Sequence, residues 1–332
     1  MADTQTLVAD IGGTNTRVAL AEAGQLVPAS IRHFRNSEHD GLVPLLRSYL
    51  DKTGAAQPRA ACLAMAGPVR DGKGQLTNLD WTLDTETLAD ATGARTVALL
   101  NDLQAQGHAL GHLPQSALQV ILPGPPPNLA AAQLVVGLGT GFNAAPVYNH
   151  GGGQAGGRLV PPSEAGHAAL PVRTRDDLDL AQYIAERHGF CSIEDALSGR
   201  GLKWIHDFLC ERDGVSGGAG SAEVMRRMEE GADAEAARAE AAVAHFIRLA
   251  GGVCGDLALT LLPFGGIFLI GGMARAIAPY MPSMGFAEAF RDKGRFGPFM
   301  SGFPVTLITD DDAALIGSAV YLEGLLAARA PA

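Results

Sequence analysis

Short runs of apolar residues, each closed by a glycine-rich or polar turn, set the rhythm of this chain. Leu7-Val8-Ala9 runs into Asp10-Ile11-Gly12-Gly13-Thr14-Asn15, and residues 16–21 return to an extended pattern. Together with residues 28–34, these predict an antiparallel meander. A helical stretch follows over 45–52, then a buried strand over 60–66 that turns at Gly67-Pro68. A further buried strand, 96–100, ends at Asn101-Asp102, and a helix is expected around 104–110. The Pro/Gly-rich segment 122–127 reads as a loop or lobe boundary.

The pattern then repeats. An apolar run at 133–136 meets Gly137-Leu138-Gly139-Thr140-Gly141, and a second extended segment covers 143–148. A glycine turn at 151–153 and a strand at 158–161 complete the copy. Helices are expected to dominate afterwards. Val243, Phe246, Ile247, Ala250, Cys254, Leu257 and Leu261 recur at helical spacing, with Gly251-Gly252 marking either a close crossing or a kink. The all-apolar run 267–270 suits a parallel strand covered on both faces, and Gly271-Gly272 then opens a helix expected over 273–280. A strand near 305–309 and a helix over 313–328 end the chain. Alternating strands and helices, with a meander opening each half, predict an α/β protein of two related lobes.

The length of 332 residues suits two domains, and 47% hydrophobic against 18% charged residues supports packed cores. No uninterrupted apolar run reaches the roughly 20 residues of a membrane span, and no basic-then-apolar N-terminal signal is visible, so a cytoplasmic protein is expected. A net charge of −10 argues against a nucleic-acid or anionic-membrane surface. The scattered cysteines (Cys62, Cys191, Cys210, Cys254) form no C-x-x-C pair, which fits buried thiols and offers no zinc site.

Against that acidic background, an anionic ligand has to be held locally. A glycine turn between strands lets backbone N–H groups approach an anion, because no Cβ intervenes, and threonine adds a hydroxyl. Asp10–Asn15 is therefore either a phosphate loop or an ordinary glycine hairpin capped by Asp and Asn; its recurrence at 137–141 favours the phosphate loop. In the phosphate-loop case Asp10 faces the metal ion. Asp102, at a strand end, is either a general base or a helix N-cap. Glu164 and His167, three residues apart in Ser163-Glu164-Ala165-Gly166-His167, can each make several hydrogen bonds to vicinal hydroxyls; a metal site is the rival reading, but no second His or Cys lies at ligand spacing. Glu194 alone would pass as a surface carboxylate, and Gly271-Gly272 would let a flat adenine or ribose approach the backbone.

In order, these stretches resemble the bacterial glucokinase family of the actin-like ATPase and sugar-kinase superfamily. The resemblance runs from Val8–Asn15 through Thr77-Asn78-Leu79-Asp80-Trp81, Leu100-Asn101-Asp102, Gly139-Thr140-Gly141 and Glu164-Ala165-Gly166-His167. It continues through Leu197-Ser198-Gly199, Gly265-Gly266, Gly271-Gly272 and residues 289–296 to Leu315-Ile316-Gly317-Ser318. It implies a two-lobed actin-like ATPase (ribonuclease H-like) fold with an interlobe cleft, the small lobe formed by 1–108 plus 313–332 and the large lobe by 109–312. It also implies ATP-dependent phosphorylation of D-glucose at its 6-hydroxyl, the step that begins glycolysis. Asp102 becomes the catalytic base, while Asn78, Asn101, Asp102, Glu164, His167 and Glu194 bind sugar. Ala9, Asp10, Ile11, Gly12, Gly13, Thr14, Gly139, Thr140, Gly141, Gly271 and Gly272 bind the nucleotide. Mg²⁺ accompanies ATP, contacted by Asp10 through water; zinc is not expected, and a homodimer is. The alternatives are a kinase for another hexose or amino sugar, or a sugar-binding sensor with weakened catalysis. Three departures stand out: Phe142-Asn143 where the family has a small apolar residue and Gly, Arg200 where it has Pro, and Leu261-Leu262-Pro263. If position 143 requires a left-handed backbone, Asn is the residue that tolerates it best after Gly.

Overall fold

The computed structural model describes residues 5–54, 57–76, 81–126, 130–149 and 157–329. It divides into two compact units, one of Met1–Gln115, Gln154–Pro162 and Asp310–Ala332, the other of Ser116–Gly153 and Ser163–Thr309. The sequence-based division into 1–108 plus 313–332 and 109–312 differs in three places: residues 109–115, the excursion 154–162 and residues 310–312 fall with the first unit.

In the first unit, β1 (Gln5–Ile11) and β2 (Asn15–Glu22) form an antiparallel hairpin extended by β3 (Gln25–Leu26) and β4 (Arg32–Arg35). The segment expected as one strand over 28–34 is a short 3₁₀ turn at Pro28–Ser30 followed by β4, as fits a proline that fixes φ and donates no ladder bond. Helix α1 (Leu42–Thr53) leads to β5 (Ala60–Met65), whose six residues are all buried. A small antiparallel sheet of β6 (Val69–Arg70), β7 (Lys73–Gln75) and β8 (Thr82–Asp84) precedes α2 (Thr85–Thr92) and β9 (Thr96–Asn101). The main sheet runs β3-β2-β1-β5-β9, with β1, β5 and β9 parallel. Helix α3 (Asp102–Ala109) leaves β9 directly.

The second unit repeats this plan. After β10 (Leu118–Leu122), the hairpin β11 (Gln133–Leu138) and β12 (Phe142–Asn149) is antiparallel. The chain's excursion within the first unit carries β13 (Arg158–Leu159), where the Arg158 guanidinium donates to the carbonyls of His108 (2.9 Å) and Leu110 (2.6 Å) at the end of α3. A cation there complements the negative end of the helix dipole. Helices α4 (Arg175–His188), α5 (Ile193–Ala196), α6 (Gly199–Arg212), α7 (Ser221–Glu230) and α8 (Ala234–Leu261) follow. Then come β14 (Ile267–Ile270), α9 (Gly272–Ile277), α10 (Phe286–Arg291) and β15 (Val305–Ile308), in a sheet ordered β10-β15-β14-β11-β12. A hairpin beside two parallel strands (β2-β1-β5-β9 and β12-β11-β14-β15) is thus the shared core of both units.

Helix α8 corrects the expectation that nothing is long and apolar enough to span a bilayer: it qualifies by length and composition. Its setting is a core helix, with 67% of that stretch buried and Val243, Phe246, Ile247 and Ala250 fully enclosed. The helix is continuous through Gly251-Gly252, so the pair marks a close crossing. A Cβ on Gly251 would overlap the Phe286 carbonyl of α10, while Gly252 faces open space. Leu262 ends α8 in the left-handed conformation (φ 48°) just before Pro263. The last helix, α11 (Ala313–Arg329), packs in the first unit against α3 and the β1–β5 face, burying Ala314, Leu315, Ala319 and Leu322 with Val8, Cys62 and Leu100.

Candidate active site

Parallel pairing sets where the chemistry falls. Ile11, Met65 and Asn101 are aligned across β1, β5 and β9, so the loop after β1 and the start of α3 lie at the same carboxyl end of the first sheet. That end is where open α/β sheets bind ligands. The Gly12–Thr14 turn is closed by Gly12 N donating to Asn15 O at 2.9 Å, and Thr14 is exposed. Ala9 and Ile11 put their side chains in the core, so any nucleotide contact they make is through backbone.

Asn36, which carries no motif in the sequence, braces this turn. It is buried, its Nδ2 donates to Gly12 O (2.8 Å), its backbone N donates to Thr14 O (2.9 Å), and its Oδ1 accepts from Thr16 Oγ1 (2.8 Å). Asp10 accepts from Arg17 at 2.9 Å, and the same guanidinium reaches Asp312 at 3.8 Å and the Asp311 carbonyl. Burial raises the Asp10 pKa, with Arg17 opposing that shift.

At the end of β9 the N-cap is Asn101, not Asp102. Asn101 Oδ1 accepts from Leu103 N (3.0 Å), Gln104 Oε1 accepts from Asn101 N (3.2 Å), and Asn101 Nδ2 donates to Gly67 O (3.0 Å). The Asn101 side chain, expected to hold sugar, is therefore bonded within the protein, and it ties the end of β9 to the turn after β5. Asp102 is the first helical residue, partly exposed, with Oδ1 accepting from Leu103 N at 2.8 Å. Asn78 lies outside the described residues.

In the second unit Gly137 is level with Ile270, which puts the Gly139–Gly141 turn beside Gly271-Gly272. Gly271 has φ 113°, and a Cβ there would come 2.5 Å from Leu138 O, so only glycine fits. Gly139 N donates to Gly141 O, and Gly199 N at the start of α6 donates to Gly139 O, both at 2.9 Å. Three backbone features suited to an anion thus meet: a glycine turn, the first turn of the 14-residue α6, and the glycine pair opening α9.

Glu164, His167 and Glu194 are brought together by backbone pairing. Ile193 N donates to Ala168 O (2.9 Å), and Leu170 N donates to Cys191 O (3.1 Å). A capping box of Ser192 and Asp195 then starts α5 and presents Glu194. His167 Nε2 lies 4.0 Å from Glu164, and both side chains are more than half exposed, available to a polar ligand. Glu194 is more enclosed: its Oε2 accepts from Phe142 N (3.0 Å), and Oε1 lies 3.6 Å from Arg200. One departure from the family pattern therefore contacts a carboxylate expected to bind sugar. At the Phe142-Asn143 departure, Asn143 has no left-handed backbone and sits within β12 opposite Gly137, so the condition of positive φ there is not met. Phe142 is buried in the core behind the turn.

A glycine hairpin feeding a parallel sheet, present in each of two units, defines an actin-like, ribonuclease H-like fold of the ATPase and sugar-kinase superfamily. A family model described as Glucokinase matches residues 7–325. A glucokinase of Chromobacterium violaceum is 34% identical over 324 residues, covering 97% of this chain and 90% of that protein. One of Nostoc punctiforme is 32% identical, covering 95% and 97%. The crystal structure of a glucokinase from an Antarctic psychrotroph superposes with a TM-score of 0.83 at 29% identity, over 97% of this chain and 99% of that one. The Balamuthia mandrillaris glucokinase solved with glucose shares the fold, with a TM-score of 0.79 at 20% identity over 97% and 94%. The chain belongs to the glucokinase family and is a hexokinase-type sugar kinase.

Proposed function

We propose that this protein transfers the γ-phosphoryl group of ATP to the 6-hydroxyl of D-glucose, with Asp102 as general base. The observation that carries the role of Asp102 is its place at the carboxyl end of the sheet from which the Gly12–Thr14 turn also leaves, with β5 between β1 and β9, while Asn101 and Gln104 perform the capping. Asp102 and one glycine turn lie in the first unit; the Gly139–Gly141 turn, the Gly271-Gly272 pair and the proposed sugar ligands Glu164, His167 and Glu194 lie in the second.

Phosphoryl transfer depends mostly on positioning and charge neutralisation. In each unit the backbone N–H groups of the glycine turn are donors suited to phosphate. Glu164 and His167 orient the sugar, since the carboxylate accepts from hydroxyls and the imidazole can donate or accept. Asp102 takes the proton from the 6-hydroxyl as its oxygen attacks. Mg²⁺ arriving with ATP supplies neutralisation of the phosphate charge. Among the described residues no group of three or more His, Cys, Asp or Glu is arranged to hold a metal, and Asp10 is already paired with Arg17. The donor set therefore fits a water-mediated contact from Asp10 to a nucleotide-borne ion, because Mg²⁺ readily keeps its waters. A cytoplasmic location accords with four buried, unpaired thiols.

The test is a coupled ADP-release assay with glucose, mannose, fructose, glucosamine and N-acetylglucosamine. Glucose should show the highest kcat/KM, and Asp102→Asn should lower kcat by roughly 10²–10⁴ while ATP still binds. Preference for another hexose would reassign the substrate, and near-normal turnover of the variant would remove Asp102 from the chemistry.

A further inference from the structure

Asn143 uses its whole side chain on backbone. Its Oδ1 accepts from Ala144 N (2.8 Å) and Ala165 N (3.0 Å), and its Nδ2 donates to Ser163 O (2.5 Å). The last two bonds reach 20 and 22 residues along the chain and grip the backbone on either side of Glu164. The residues preceding Asn143 engage the same region. Phe142 N donates to Glu194 Oε2, and a Cβ on Gly141 would come 2.5 Å from that oxygen. A Cβ on Gly166 would overlap the Phe142 carbonyl, so the 163–167 loop lies flat against the start of β12. Residues 141–143 thus end the phosphate turn and at the same time hold both carboxylates assigned to sugar.

Resting on the glucokinase reading above, we infer that Asn143 is a positioning residue that sets the Glu164 carboxylate for the sugar by bonding the residues before and after it. Glu164 is exposed, so little packing orients it, and its direction depends on where its backbone is pinned. An amide suits the task because it donates and accepts at once. A carboxylate at 143 would keep the bonds to Ala144 N and Ala165 N but set an acceptor against the Ser163 carbonyl.

The test compares wild type, Asn143→Ala and Asn143→Asp by steady-state kinetics with glucose and each monodeoxyglucose. Calorimetric glucose titrations and thermal denaturation run in parallel. Asn143→Ala should raise the glucose KM roughly tenfold or more, with the ATP KM within about threefold. It should also shrink the discrimination against the deoxy analogue that lacks the Glu164-bonded hydroxyl, because a displaced carboxylate no longer penalises its absence. Asn143→Asp should fall between the two. An unchanged glucose KM, or glucose and ATP KM rising together with undiminished deoxy discrimination, overturns the assignment. Wild type that binds glucose without turning it over refutes the kinase reading alone, and the calorimetric comparison then decides Asn143. Wild type that binds no glucose refutes both.

Discussion

Gly317 sits where α11 crosses α3, and adding one methyl group there links stability to catalysis. A Cβ at 317 would overlap the Ala105 carbonyl oxygen and lie 2.7 Å from its carbon and 2.9 Å from Ala109 N. Ordinary contact between such atoms is about 3.5–4.0 Å, so the helices must separate by roughly 1–2 Å. Backbone atoms cannot rotate aside as a side-chain tip can. Overpacking of this kind costs about 1–3 kcal/mol, against a helix-propensity gain of up to ~1 kcal/mol for Gly→Ala. The crowding wins, and Gly317→Ala should lower Tm by roughly 2–8 °C. Asp102 begins α3, less than one turn before Ala105, so the same displacement moves the proposed base. Misplacement by about 1 Å can cost a rate factor near 10². Gly324→Ala on the same helix is the control, since a Cβ there meets nothing within 4 Å, and it should be neutral or stabilising. Scanning calorimetry and the ADP-release assay read both effects. If Gly317→Ala keeps the Tm and kcat of wild type, the crossing is not close and α3 is not held by α11 as described.

Asn36→Ala removes the side-chain bonds to Gly12 O and Thr16 Oγ1, so it should destabilise by about 1–3 kcal/mol and raise the ATP KM several-fold, leaving the glucose KM little changed; an unaltered ATP KM would disprove the bracing role. His108 is buried against Tyr321, and burial, reinforced by Arg158, lowers its pKa to about 4 from 6.5. The unfolded chain therefore binds the extra proton between those values, so stability falls as pH drops from about 6.5 to 4, by a few kcal/mol, about 3 at most. His108→Leu should flatten the dependence of Tm on pH in that window, with His112 and His206, also lowered by burial, leaving a residual slope; an unchanged profile would contradict a neutral buried imidazole.

The parts of the fold legible in the sequence were those with a local signature. All-apolar runs such as 60–65 and 267–270 became central parallel strands, and the glycine loops became the hairpin turns of both units. What sequence could not convey were long-range polar bonds, which leave no periodicity. Asn36 looks like any loop asparagine, and nothing marks Glu194 as the acceptor for Phe142 N. Asn101-Asp102 shows the difficulty at closest range: either residue can cap a helix, and only the Gln104 reciprocal bond shows that Asn101 does. Asn143 needs no left-handed backbone: it is a strand position whose asparagine bonds distant backbone groups, and such bonds leave no local mark in the sequence.

The bracing of the two glycine turns follows one physical requirement met by unrelated residues. A turn that is to receive an anion should have its carbonyl oxygens bonded inward, since an unpaired acceptor facing a phosphate repels it. In the first turn Asn36 takes both Gly12 O and Thr14 O. In the second, Gly199 N takes Gly139 O, and Gly139 N takes Gly141 O. With those acceptors engaged, and Gly12 N and Gly139 N bonded within their own turns, the donors proposed for a ligand are the N–H groups of Gly13 and Thr14 and of Thr140 and Gly141, held in place before the ligand arrives. Fixed donors do not have to reorganise as charge develops in transfer, which is where such sites gain most over water. The similarity of the two loops in sequence thus reflects the donors, while the bracing acceptors and donors behind them evade any motif because one comes from a loop before α1 and the other from the first turn of α6.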